Sequence, residues 1–398
     1  MKRIIGVAVL FAAAMVVSTQ SADFHGADTQ HYQVYSDESQ VTADQIAEKM
    51  EACLRLYNGL FHFDLSVLAA QLKVRIFAEK TMFDSYLQTL ISETRNDFVY
   101  IHYTDLRKSE LVGFRKENQE FDTSLLHQGA IQFLKAFIPN APIWLREGVA
   151  AYVEKSTYDQ KTATFLWQPN LAWLDSLKAI LKSGFIPLHE LILFDASQAV
   201  ARIDTFYPEA WGLVQFLSST DQKIYNRVLW DTISVLTPKA SLPENSRAVA
   251  ERVFSWVEQG VLQADFLEYI QSLKTLQDHI QDGMALYEQA EETQDIETFA
   301  LAEHAFSQAL TLEPTDHVVH YYLGLINYSR KQHDLAEQHY KEALAAGLNT
   351  ALIYYALGVN AFADDDYEAA EKYLEQALQI NPDDEKASAL LKRIQVMR

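Results

Sequence analysis

A single cysteine, Cys53, occurs among 398 residues, so the chain can form no intrachain disulfide and no cysteine-based zinc site. Cys53 falls inside a helical pattern, Glu51-Ala52-Cys53-Leu54-Arg55-Leu56, and reads as a buried structural thiol rather than a reactive one. Glycine (13) and proline (9) are scarce, against averages of about 7% and 5%. Long stretches without a breaker predict a mostly helical protein. Positive charge is also short: 33 Lys and Arg face 54 Asp and Glu, for a net charge of −21. That balance argues against nucleic-acid binding, which needs a basic face to displace counterions, and against docking on anionic lipid. There is no Gly-rich phosphate loop and no G-x-S-x-G elbow. An apolar content of 49% rules out a disordered chain.

One long apolar run exists, Ile4 to Val17, preceded by Lys2 and Arg3 and followed by small polar residues. Residues 1–22 therefore have the layout of a secretory signal peptide, with Thr19/Ser21 or Val16/Ser18 as possible recognition pairs for a peptidase. At 14 residues the run is short for a span of about 20. The expectation is an exported protein, periplasmic or extracellular, with a membrane contact only if this segment stays uncleaved as an anchor.

The rest of the chain is expected to be mostly α within an α+β class. His31-Tyr-Gln-Val-Tyr-Ser36, Leu72-Lys-Val-Arg-Ile-Phe77 and Asp97-Phe-Val-Tyr-Ile-His-Tyr103 alternate or are rich in β-formers and read as strands, with Leu111-Val-Gly-Phe114 a short fourth. A helix follows the first strand, with Ile46, Met50, Cys53, Leu54, Tyr57 and Leu60 at helical spacing and Thr42 as its expected N-cap. Further helices are expected over 122–137, 143–155, 171–183, 205–219, 222–235, 245–258 and 263–281.

The C-terminal third repeats itself every 34 residues. Leu323-Gly324 returns at Leu357-Gly358; Ala302, Ala336 and Ala370 are evenly spaced, as are Ala309, Ala343 and Ala377. The large position between them runs Phe306, Tyr340, Leu374; Pro314 and Pro382 are two periods apart, with Leu348 in the middle slot. Small residues let paired helices cross closely, and stacked pairs bury faces that one pair cannot bury alone. This register resembles the tetratricopeptide repeat family over about residues 280–382. It implies an α-solenoid of three repeats, the first with a longer leading helix from Gly283 to Phe299, and a capping helix at 383–398.

The inner helices of such repeats line a concave groove. In register, its lining is Tyr321, Leu325 and Tyr328, then Tyr355, Val359 and Phe362. Family members that grip a terminal carboxylate carry Lys and Asn at these positions, and this chain does not. The expected partner is a protein or peptide offering an apolar helix or extended segment; the bland alternative is that these side chains pack within the chain itself. Asp364-Asp365-Asp366 reads as a solvated turn, since no further ligands are spaced around it.

Residues 122–154 carry the other informative pattern. Pro142-Ile-Trp144-Leu145-Arg-Glu147-Gly148-Val-Ala150-Ala-Tyr152 resembles a segment of the peptidase-MA-like gluzincin metallopeptidases, a family found with tetratricopeptide repeats in secreted bacterial proteins. The resemblance reaches upstream to Tyr32–Leu60 and to Val74–Phe77 with Phe83 and Tyr86, and downstream through Phe206-Tyr207, Ala210-Trp211, Leu213-Val214 and Phe216-Leu217. It implies a domain over 23–240, joined by a helical connector at 241–279 to the repeats. Family members bind zinc with His-Glu-x-x-His on one helix and a carboxylate from the next. Carried over, His127 is the first ligand and Glu147 the third. Gln128 stands at the general base and Ile131 at the second His.

A Gln amide cannot take a proton from water near neutral pH, and an Ile side chain offers no donor atom. Two ligands remain where a catalytic zinc site uses three. The expectation is thus a pseudoenzyme with no intact catalytic residue, no cofactor, and His127 and Glu147 left as a vestigial pair facing each other, satisfied by a proton or by the Gln128 amide. Trp144 and Tyr152 are expected in the core. An active secreted zinc metallopeptidase with a non-standard site is the alternative, with zinc as its cofactor and a residue such as Glu209 recruited; a purely structural envelope protein is a third reading. His189-Glu190 starts like the zinc motif but meets Leu193, and neither it nor His25, His31, His333 or His339 is assigned to a metal.

Overall fold

A computed structural model describes residues 23–182, 184–255, 258–347 and 350–397. The expected export segment and Leu348 lie outside the described residues. The chain divides into two compact units. The first holds the residues up to Asn170 together with Leu188–Val257; the second holds Leu171–Pro187 and Glu258–Arg398. Segment 171–187 thus belongs with the C-terminal helices, whereas 241–257 belongs with the N-terminal unit.

The first unit opens with β1 (His25–Asp28), β2 (Tyr32–Ser36), α1 (Gln40–Phe61), β3 (Leu72–Phe77), α2 (Lys80–Leu90), β4 (Val99–Ile101) and β5 (Glu110–Phe114). The strands form one sheet in the order β1-β2-β3-β5-β4. The pairs β2–β3 and β3–β5 are parallel, while the two edge strands pair antiparallel. Parallel neighbours need crossovers, and α1 and α2 lie within those two connections. The alternation read from the sequence appears as burial: Tyr32, Val34 and Ser36 point inward, as do Leu72, Val74 and Ile76.

Cys53 is fully buried in α1, and burial pushes its thiol up to about 12. The N-cap of α1 is Ser39 rather than Thr42, whose N–H donates to the Ser39 side chain at 3.1 Å. Two features were not expected: β1, a short polar strand containing Gly26, and a hairpin of β6 (Thr157–Asp159) and β7 (Thr164–Leu166).

Two helices carry the site positions, α3 (Asn118–Phe137) and α4 (Ile143–Val153), separated by the short segment ending at Pro142. After α5 (Leu171–Ile180), which belongs to the second unit, come α6 (Leu188–Leu191), α7 (Ala196–Ala201), α8 (Ile203–Ser219), α9 (Lys223–Val235) and α10 (Leu242–Arg252). Helix α4 lies tightly on α8. A Cβ on Gly148 would stand 2.4 Å from the Ala210 carbonyl oxygen and 2.8 Å from Val214, so only glycine fits this crossing. Trp144 and Trp211 are both buried there, and Tyr152 is buried and stacked on Trp167 at 5.1 Å.

In the second unit, α11 (Gln259–Ser272) buries Leu262, Phe266 and Ile270, and α5 buries Leu174 and Leu177. The continuous helix expected over 263–281 is in fact two. The break falls at Leu273–Thr275, where Thr275 and Asp278 form a capping box that starts α12 (Leu276–Thr293). Lys178 of α5 reaches Asp278 at 2.7 Å. The leading helix of the first repeat is α12; it does not run to Phe299. It stops at Gln294, in the left-handed region with φ 55°, and Asp295 caps α13 (Ile296–Leu312).

The remaining helices pair as the period predicts: α14 (His317–Ser329) with α15 (His333–Ala345), α16 (Ala351–Ala363) with α17 (Tyr367–Ile380), and α18 (Glu385–Met397) closing the array. The crossing chemistry is the same in each pair. A Cβ on Gly283, Gly324 or Gly358 would strike Phe306, Tyr340 or Leu374 at 2.7, 2.4 or 2.7 Å. Ala302, Ala336 and Ala370 are fully buried, as are Ala309, Ala343 and Ala377. The first pair departs in length: Gly283 precedes Ala302 by 19 positions, whereas Gly324 and Gly358 precede Ala336 and Ala370 by 12. That is about two extra helical turns, and it explains the longer α12. The protein is therefore mostly helical, with a small N-terminal sheet and C-terminal helical repeats.

Candidate functional site

The seam between α3 and α4 brings the motif positions together, but not as a metal triad. His127 Nε2 lies 3.9 Å from Glu147 Oε2. The closer partner is Glu154, just past the end of α4: its Oε2 is 2.6 Å from His127 Nδ1. The other Glu154 oxygen accepts from the Asn170 amide. The imidazole stands between two carboxylates, one at each ring nitrogen. Donors on opposite edges of a ring do not converge on one point, as a single metal would require.

Glu147 is held from its own helix. Arg146 Nε and Nη2 reach its Oε1 at 2.7 and 2.6 Å. His127 and Glu147 do face each other, but the charge that the buried carboxylate needs comes from the adjacent guanidinium rather than from Gln128. The Gln128 oxygen is instead engaged by the sheet, accepting from the Tyr100 N–H at 3.3 Å. Ile131 is buried and presents only hydrocarbon. Glu209 on α8 is fully buried.

The seam is electrostatically loaded. Burial by itself would depress the His127 imidazole, but the Glu154, Glu147 and Asp97 carboxylates outweigh it and hold the ring above the usual histidine range. Burial, reinforced by the Arg146 guanidinium, lowers Lys135 to about 8 against an opposing pull from Glu147. Burial and the Glu147 charge push the Tyr207 phenol up. His127 is still 20% exposed, so the pair is reachable from solvent. The residues present do not fit a zinc ion held in the gluzincin manner, because the second-ligand position lacks a donor atom. A cavity of about 450 Å³ lies elsewhere in this unit, lined by Thr42, Lys49, Arg115, Asp122 and Tyr158; His127 and Glu147 are not among its walls.

The groove positions behave differently. Tyr321, Leu325, Tyr328, Tyr355, Val359 and Phe362 are all half-buried. The first three pack on the cluster built by Ala336, Tyr340, Ala343, Ile353 and Leu357. Tyr355 and Phe362 pack on Ala370, Leu374, Ala377 and Ile394, with the Arg393 guanidinium 5.1 Å from the Phe362 ring. The array backs one side of each ring and leaves part of the side chain to solvent. Asp364, Asp365 and Asp366 form the turn into α17, where Asp366 accepts from the Ala369 N–H at 3.0 Å.

The seam's decisive partner, Glu154, was legible in principle. It follows Glu147 by seven residues, two helical turns, and therefore lies near the same face. Arg146 had no comparable signal, because neighbours in a helix do not ordinarily face each other.

Tetratricopeptide repeat family models match residues 287–347 and 351–384. Among solved structures, the chain is similar to the first TPR of Spaghetti (RPAP3) bound to the HSP90 peptide SRMEEVD, at 20% identity and a TM-score of 0.26 over 29% of this chain and 93% of that one. It is similar also to the NMR structure of the first TPR domain of human RPAP3, at 20% identity and a TM-score of 0.26 over 29% of this chain and 92% of the other. A comparison with curated proteins finds no match. The two family matches, joined to the recurring glycine–large residue crossing, make the C-terminal helix pairs tetratricopeptide repeats.

Proposed function

We propose that the protein is an exported binding scaffold that grips an apolar segment of another protein in its repeat groove, and that its N-terminal unit is metallopeptidase-like without hydrolytic activity. The observation that carries the binding role is the stripe of six half-buried apolar and aromatic side chains, in register on α14 and α16. Tetratricopeptide repeats present such faces for protein recognition, and aromatic anchors supply large contact area at low entropy cost. The stripe contains no Lys or Asn to hold a terminal carboxylate. An apolar helix or extended strand therefore complements it better than an acidic tail.

The inactive reading is supported by the seam chemistry. Gln128 has no basic lone pair, Ile131 has no donor, and Arg146 already neutralises Glu147. What remains is a charged helix–helix contact that orients α3 on α4.

Selection from a displayed peptide library tests the binding role. Wild-type chain is expected to enrich peptides with spaced apolar and aromatic residues, and Tyr321→Ala/Tyr355→Ala to lose that enrichment while keeping its helical circular dichroism. Enrichment of acidic C-terminal peptides, or unchanged enrichment in the double variant, overturns it. Zinc-dependent peptide hydrolysis abolished by His127→Ala would overturn the inactive reading.

A further inference from the structure

Away from both the seam and the groove stripe, three donor atoms converge in the second repeat. His320 on α14 meets His339 and Glu342 on α15. His320 Nδ1 is 3.1 Å from His339 Nδ1 and 3.1 Å from Glu342 Oε2. All three ligand atoms lie within 4.8 Å of one another. His339 and Glu342 are three apart on α15 and so share a face of that helix.

The proton inventory of His320 makes this contact unusual. Its Nε2 is 3.0 Å from the Pro314 carbonyl oxygen, which can only accept, so Nε2 carries a hydrogen. In the neutral ring Nδ1 is then a bare lone pair, aimed at a second imidazole nitrogen and at a carboxylate. A carboxylate offers no hydrogen to that lone pair. A hydrogen on His339 Nδ1 could meet that lone pair, but the Glu342 carboxylate beside it is matched only by an added proton or a metal ion.

We propose that His320, His339 and Glu342 form a binding site for a divalent metal ion of the zinc class. Zinc takes nitrogen and oxygen ligands at about 2.0–2.1 Å, and a tetrahedron of such bonds has edges of about 3.3 Å. The two separations of 3.1 Å are close to such an edge. The Nε2–H bond to Pro314 is the outer contact that orients a metal-ligating histidine and fixes its tautomer. His320 is 7% exposed and Glu342 44%, so the ion would be reached from the Glu342 side, where water fills the fourth position. Bound there, it clamps α14 to α15 and anchors both to the Pro314 turn that ends the first repeat.

The test uses untagged full-length chain, stripped with chelator and titrated with Co²⁺ as a spectroscopic probe, then with Zn²⁺ in competition. One equivalent of Co²⁺ is expected, with the visible absorption of a tetrahedral nitrogen–oxygen site, and Zn²⁺ is expected to displace it. His339→Gln and Glu342→Gln should each weaken binding by about tenfold or more, while His127→Ala leaves the titration unchanged. Zn²⁺ should raise the melting temperature of wild type and not of His339→Gln. Both substitutions lie at partly exposed positions, and matching circular dichroism verifies that they fold. Absence of saturable uptake overturns the proposal and leaves a proton as the positive centre; uptake that survives both substitutions overturns it equally.

Discussion

His127 and Glu154 are joined by a 2.6 Å contact between Nδ1 and Oε2, while Glu147, the carboxylate that the motif would pair with His127, stands 3.9 Å from the other ring nitrogen. The seam is therefore organised around the end of α4 rather than its middle, and its behaviour with pH follows from that pairing.

Because the folded protein holds the His127 imidazole above its ordinary value, the charged contact contributes stability that is fully present below the unfolded pKa. That contribution is lost as pH rises through the raised folded value. Glu154→Gln should lower the His127 pKa, read by NMR titration of the ring. It should cost about 2 kcal/mol in denaturant unfolding near pH 6, and distinctly less at a pH above the raised folded value, where the wild-type ring has lost its proton. An equal cost at both pH values would contradict the charged pairing.

Lys135 titrates to about 8, so a large share of it is free amine at that pH, when ordinary lysines are almost wholly protonated. It should be acylated faster than the other lysines in a mass-spectrometric labelling time course at pH 8. The Glu147 carboxylate opposes the shift, so Glu147→Gln should make Lys135 still more reactive. Slower labelling in that variant would refute the assigned cause.

Gln128→Glu with Ile131→His returns a base and a second nitrogen ligand to α3. In a His339→Gln background, which removes the repeat site, the double variant should take up zinc and the background protein should not. Adding Arg146→Ala should strengthen uptake by releasing Glu147, and adding His127→Ala should abolish it. Isothermal titration with Zn²⁺ distinguishes these outcomes; no uptake by the triple variant would remove support for a degenerate zinc site.

Gly148 and Gly59 should respond oppositely to alanine. At Gly148 the new Cβ meets the Ala210 carbonyl at 2.4 Å, backbone that cannot swing aside, so α4 and α8 must part. The expected cost is about 1–3 kcal/mol. At Gly59, inside α1, nothing lies within 4 Å of the new Cβ. The better helix former should stabilise there by about 0.5–1 kcal/mol. Urea midpoints of the two variants check both signs.

The expected central strands were legible because half-buried strands alternate: β2 and β3 show the inward pattern that Tyr32, Val34, Leu72 and Val74 predict. The repeats were legible because Ala302, Ala336 and Ala370 mark a crossing that admits no larger side chain. What escaped was short or depended on distant partners. Strand β1 is four residues with little β-propensity, and β6 and β7 are three each. The break before α12 depends on Thr275, whose capping role competes with an otherwise unbroken apolar period. The seam was half visible: the family resemblance pointed to His127 and Glu147, and Glu154 lay two helical turns beyond, but Arg146 carried no signal. His320 and His339 are 19 positions apart on different helices, and only the packing of α14 on α15 brings their nitrogens together.

Residues 171–187 lie in the first half of the chain yet belong to the second unit. During synthesis α5 is complete before α6 to α10 have been made, and well before α11 and α12, the source of its Asp278 partner, exist. Domains tend to fold in order as they emerge. Here the apolar face carrying Leu174 and Leu177 must wait, uncovered, while the chain returns to finish the first unit. The interval between α5 and α11 is thus the stage of biogenesis at which this protein is most open to a chaperone, or to aggregation.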